Sequence, residues 1–107
     1  MSWIEDTYVV FDLETTGLYP NSGDSIIEIG AVKVQNGNII DRFDELIDPG
    51  KELNEEIIKI TGINNEMLKG KRDEKSVVKT FMSWVGNTPM VAHNAKFFKK
   101  YMDKIEL

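Results

Sequence analysis

From Thr7 to Leu13, apolar and β-branched residues fill both parities until Asp12 interrupts them, which predicts a central strand buried on both faces. The turn formers Gly17-Leu18-Tyr19-Pro20-Asn21-Ser22-Gly23-Asp24 close it. A second strand is expected from Ser25 to Val34, and Gln35-Asn36-Gly37-Asn38 carries a hairpin signal into a third, near Ile39 to Ile47. Asp48-Pro49-Gly50 ends this meander. Asn54 is placed to cap a short helix through Ile60 that Gly62 stops, and Asn64 to Lys69 reads as another helical turn. Val77, Val78, Phe81, Met82, Trp84 and Val85 recur at helical spacing, so a helix runs from about Asp73 to Val85 and closes at Gly86. Pro89 to His93 reads as a short strand. Asn94 caps a last helix with the stripe Phe97, Phe98, Tyr101, Met102 and Ile105. The order βββ, helices, β, α predicts one α/β domain over residues 1–107, with no internal repeat or linker.

Composition narrows the chemistry. With no cysteine, disulfides, thiolate metal sites and a cysteine nucleophile are excluded, and a reduced cytoplasm is the expected location. No apolar run approaches the ~20 residues that span a bilayer, and the opening residues lack the layout of a signal peptide, so no membrane partner is expected. The net charge of −5, from 18 acidic and 13 basic residues, has the wrong sign for a broad nucleic-acid-binding surface. Carboxylates that hold metal ions supply the missing positive field locally, so phosphate chemistry stays open.

Asp12 and Glu14 are the pair placed to do this. Two apart at the end of a strand, they point to the same face and offer oxygen ligands on one rigid element. Mg²⁺ and Mn²⁺ prefer such ligands, and phosphodiester hydrolysis is the chemistry that the pair would serve. Taken alone, Asp-x-Glu more often describes two solvated acids at a strand end, the usual fate of carboxylates. Glu28 points away from Ile27 and Ile29, toward either the site or a backbone donor. Lys96, Lys99 and Lys100 read as a solvated helix face.

Four blocks in order, Tyr8 to Gly17, Ile26 to Val32, Ile57 to Ile63 with Met67-Leu68, and Val91 to Phe97, resemble the DEDD-type 3′-to-5′ exonuclease family. Its members include the epsilon proofreading subunit of bacterial DNA polymerase III and the exonuclease domain of Gram-positive replicative polymerases. The resemblance implies a ribonuclease-H-like mixed sheet, a three-stranded meander plus a parallel strand, with flanking helices. It implies metal-dependent hydrolysis at DNA 3′ ends, with Asp12 and Glu14 as the first two metal carboxylates. Leu13, Thr15 and Thr16 then line the pocket of the terminal nucleotide, with the backbone amides around Thr15 to Gly17 facing it. Ile57, Ile63 and Met67 match the apolar wall against which bases pack, and core packing is an equal reading of all three. His93 and Asn94 match the family's His-Asn-Ala turn, where the histidine is not catalytic. The implied partners are a single-stranded DNA 3′ end and a polymerase or other replication protein.

The pattern breaks at Phe98, where active members carry a third metal aspartate. Register is kept, because Tyr101-Met102 still match the Phe-Leu pair that follows in the family. Asp103, five helical residues on, is rotated by roughly 140° and is a poor substitute. The family also continues past this point, into helices bearing a general-base histidine and a fourth aspartate. The resemblance therefore implies that the C-terminal part is missing, that hydrolysis is impaired, that metal binding is weak, and that an uncovered surface favours homo-oligomers. A non-catalytic module with the exonuclease fold, binding nucleic acid or protein, is the competing reading.

Overall fold

The structure is a computed structural model that describes residues 6–105. Its elements are β1 (Thr7–Thr15), β2 (Ile26–Gln35), β3 (Asn38–Leu46), α1 (Glu55–Thr61), α2 (Asn65–Leu68), α3 (Glu74–Val85), β4 (Met90–Ala92) and α4 (Ala95–Ile105). They match the expected order, with ends within a residue or two. The sheet order is β3-β2-β1-β4. β1 to β3 form an antiparallel meander, and β4 lies parallel to β1. The β2–β3 turn needs two residues with positive φ, which Asn36 (51°) and Gly37 (82°) supply. Asn54, Asn64 and Asn94 each accept the amide three residues on, at 2.9, 3.0 and 3.0 Å, and so start α1, α2 and α4.

Helices α3 and α4 bury one face of the sheet. Val77, Val78, Phe81 and Val85 from α3 and Tyr101 and Ile105 from α4 join Val9, Phe11, Ile29, Ala31 and Phe43 in the main core. A smaller core forms where Ile27 meets Leu53, Ile63 and Leu68, with Leu46, Ile57 and Ile58 packed against it. The two cores divide at an irregularity in β2. Glu14 faces Glu28 and Thr15 faces Ile26, so Ile27 is an extra residue, and Ile26 and Ile27, both fully buried, serve different cores.

The expectation that β1 is buried on both faces is corrected. Val9 and Phe11 are 0% and 5% exposed, whereas Val10 is 39% exposed and Asp12 is exposed. The helices cover only the odd-numbered face at this point. On β4, Val91 is 51% exposed. Among the described residues no helix is long and apolar enough to cross a membrane.

Candidate active site

The strand register builds an acidic face. Asp12 lies opposite Gly30, which in turn lies opposite Asp44, and Glu14 lies opposite Glu28. Directly opposed residues share a face, so four carboxylates gather on the side that α3 and α4 leave open. Burial raises the Glu14 carboxyl above its ordinary value, and the charge of Asp12 adds to this. Burial also pushes Glu28 up to about 7, helped by its hydrogen bond to Asp44 and by the charges of Asp44 and Glu14. Glu28 thus lies with this acidic cluster, but the expected opposition to Ile27 fails, because Ile27 is the extra residue of β2 and joins the smaller core against which Leu46, the cross-strand partner of Glu28, also packs.

This shift has a consequence for stability. Between pH 4.5, the ordinary carboxyl value, and about 7, folded Glu28 keeps a proton that the unfolded chain has released. Its contribution is therefore complete below about pH 4.5 and is lost as pH rises through 7. We expect the wild type to lose about 1 kcal/mol relative to Glu28→Gln between pH 5 and pH 8, a figure reduced for solvent screening. Urea melts of both proteins at the two pH values check this; parallel changes would show that Glu28 is not the group.

Immediately after Glu14, a loop closes on itself through its own side chains. The Thr16 hydroxyl donates to Asp24 Oδ1 at 3.1 Å and accepts the Ser25 amide at 2.9 Å. Asp24 Oδ2 accepts the Tyr19 amide at 2.9 Å. The Thr15 hydroxyl donates to the Gly17 carbonyl at 2.9 Å and accepts its amide at 3.3 Å. Gly17 is required by close approach: a Cβ there would lie 2.3 Å from Asp24 Oδ2. The expectation that backbone amides at Thr15 to Gly17 face a ligand is corrected for two of them. The Thr16 amide donates to the Ser25 carbonyl, and the Gly17 amide to Thr15. Asp24 organises the loop, and sequence reading missed it because it stood among turn formers as one more polar residue.

On the other side of Asp12, α4 fills the space. Phe98 packs edge-on against Phe11, with ring centroids 4.7 Å apart and planes at 69°. Phe11, Asp12, Leu13, His93, Asn94 and Phe98 are among the residues around a cavity of about 30 Å³, room for no more than a water or two. Ile63 and Met67 lie elsewhere. With Glu28, Asp44, Lys71 and Arg72 they border a groove of about 620 Å³ between the sheet and α1–α2. Ile63, 4% exposed, belongs to the smaller core, and Ile57 packs against that core. Met67, 40% exposed, is the member of the expected wall most open to solvent. The site residues thus fall into three groups: Asp12, Leu13, His93 and Asn94 at α4; Glu14 with the Thr15 to Gly17 loop that follows it; and Ile57, Ile63 and Met67 at the smaller core and its groove.

Asp12 and Glu14 are the residues suited to a cation. Among the described residues neither is ion-paired to a lysine or arginine, and their mutual repulsion is relieved by a positive charge. Two carboxylate donors suit one hydrated Mg²⁺ or Mn²⁺. Among the described residues no group of three or more Asp, Glu, His or Cys is placed to hold a metal ion.

Comparison with known proteins places the chain. The exonuclease family model, of the RNase T type, matches residues 9–105. The chain is 48% identical over 93 residues to the PolC-type DNA polymerase III of Bacillus subtilis (strain 168), a match covering 87% of this chain and 6% of that polymerase. It therefore spans only a small part of such relatives. Among solved structures, exonuclease X in complex with 5′ overhanging duplex DNA superposes with a TM-score of 0.72 at 27% identity, over 88% of this chain and 52% of that one. The nuclease domain of 3′hExo, a DEDDh family member bound to rAMP, shares the fold with a TM-score of 0.77 at 21% identity, over 94% and 57% of the two chains. A mixed sheet in this order, with paired carboxylates at the end of its central strand and a family match along nearly its whole length, makes this chain a member of the exonuclease family with the RNase-H-like fold.

Proposed function

We propose that this chain is a 3′-to-5′ exonuclease module of the proofreading type, metal-dependent and acting on the 3′ end of single-stranded DNA, with hydrolysis impaired by Phe98. The observation that carries this reading is the position of Asp12 and Glu14, on the open face of the sheet and beside the loop that Asp24 organises. Asp12 and Glu14 would hold Mg²⁺ or Mn²⁺. When bound, such an ion neutralises charge at the scissile phosphate and lowers the pKa of a bound water. Leu13, Thr15, Thr16 and Gly17 shape the surface that receives the terminal nucleotide, with His93 and Asn94 at its α4 side and Met67 at the groove. Each threonine hydroxyl already donates within the loop, so what it offers a nucleotide is a lone pair and a fixed shape. The charge of −5 leaves end capture without a basic surface, which supports delivery of the strand by a polymerase.

Phe98 favours a second reading, in which the module captures the end without cutting it. A 3′-labelled single-stranded oligonucleotide with Mn²⁺ or Mg²⁺ separates the two. We expect slow metal-dependent shortening that falls at least about 10²-fold in the Asp12→Ala/Glu14→Ala protein, as for loss of a group that stabilises charge in the transition state. Shortening absent from both proteins, or equal in both, would leave the non-catalytic module.

A further inference from the structure

The loop after Glu14 is held from behind by α4. Tyr101, 0% exposed, donates its hydroxyl to the Gly17 carbonyl at 2.7 Å. Three residues on, Lys104 donates to the Asp24 carbonyl at 3.0 Å and pairs with Glu74 Oε1 at 2.6 Å. The other Glu74 oxygen accepts the Ile26 amide at 2.7 Å. Both ends of the loop are therefore tied to the helical layer, at Gly17 and at Asp24 to Ile26. The Lys104 ammonium also lies 5.1 Å from the centre of the Tyr101 ring, which couples the two ties.

In place of Tyr101, a phenylalanine fills the same space but leaves the Gly17 carbonyl to Thr15 alone. Burial pushes the Tyr101 phenol up to about 12; its hydrogen bond with Thr15 opposes this, while the charges of Asp24 and Glu74 add to it. The hydroxyl stays a donor throughout neutral pH.

We propose that Tyr101 and Lys104 are positioning residues, which hold the loop from Thr15 to Ser25 in the shape that receives a 3′-terminal nucleotide. The proposal rests on the nucleotide-end reading above. Neither residue needs to touch nucleotide or metal. Their effect is on the fraction of molecules whose loop is closed, and only that fraction binds.

The test uses the full chain, ¹⁵N-labelled, as wild type, Tyr101→Phe and Lys104→Met. Amide exchange is read residue by residue, and affinity for thymidine 5′-monophosphate is measured in Mn²⁺. In Tyr101→Phe we expect the Thr16, Tyr19, Asp24 and Ser25 amides to exchange about fivefold faster, the effect of losing one net hydrogen bond. Amides of the β1–β2 pairing should change less than about twofold, since local opening leaves the core closed. Because only molecules with a closed loop bind, the fivefold rise in opening lowers nucleotide affinity by about two- to threefold in Tyr101→Phe where the free wild-type loop is open for roughly a quarter to a half of the time, and by more in Lys104→Met. Loop amides that do not change in either variant overturn the proposal, as does equal acceleration of loop and sheet amides. A loosened loop with unchanged nucleotide affinity overturns the positioning role. If the wild type itself binds no nucleotide while the variants loosen the loop, the nucleotide-end reading falls and takes the positioning role with it.

Discussion

Replacing Phe81 with alanine should lower stability by about 3–5 kcal/mol, the range for deleting a fully buried aromatic. Phe81 is 0% exposed and sits where three other rings converge, 5.5 Å from Phe11, 5.2 Å from Phe43 and 6.1 Å from Trp84 between centroids. From one helix position Phe81 touches rings of both β1 and β3. A cavity here cannot be filled by one neighbour without opening another contact. A small domain has only about 5–15 kcal/mol in total, so a large part of its stability is at stake. Urea melts followed by near-UV circular dichroism check the value, with Phe81→Leu as a partial deletion expected to cost about 1–2 kcal/mol. A loss under about 1.5 kcal/mol in the alanine protein would mean that the site collapses around the deletion and that the aromatic group is not the centre of the core.

Phe81 also shows why the fold was legible in the sequence. Its spacing from Val77, Val78 and Val85 sets the helical stripe, and those four residues are the buried positions of α3. Turn chemistry was equally local: Asn36 and Gly37 take the positive φ angles that a tight hairpin needs. What the pattern could not give was which face of a strand stays open. Val10 reads like Val9, yet only Val9 meets the helices, because cover depends on where α3 and α4 dock and not on the residues of β1.

The candidate site was legible in the same uneven way. Asp12 and Glu14 were visible because period-two geometry aligns neighbours on a strand. Asp24, Asp44 and Tyr101 were not assigned to the site: Asp24 stood among turn formers as one more polar residue, whereas the roles of Asp44 and Tyr101 arise from pairings far apart in the chain. The Tyr101 hydroxyl meets a carbonyl 84 positions away, and Asp44 reaches the acidic face only through the register of β3 on β2. Ile63 illustrates the opposite difficulty. An apolar residue beside a glycine reads alike as core or as a wall for a base, and the structure places it in the smaller core while it also borders the groove.

Phe98→Asp should convert a packing residue into a metal ligand, with opposite effects on stability depending on the ion. In EDTA the variant should be less stable than the wild type by about 2 kcal/mol, from loss of the edge contact with Phe11 and of a half-buried aromatic surface. A third carboxylate beside Asp12 and Glu14 adds repulsion in the same direction. Mn²⁺ reverses the balance, since binding only to the folded state stabilises it by about 2.7 kcal/mol at one hundred times the dissociation constant. The small cavity shared by Asp12 and Phe98 makes this outcome reasonable, because a shorter side chain frees room at that point for an ion and its water. We expect Mn²⁺ affinity to rise at least about tenfold, and 3′ shortening of an oligonucleotide to rise with it. Phe98→Asn is the control, with similar lost packing and no added charge. Thermal melts with and without Mn²⁺ on the three proteins decide the matter. If the aspartate protein gains no more from Mn²⁺ than the asparagine protein, position 98 does not face the ion, and the impairment assigned to Phe98 has another cause.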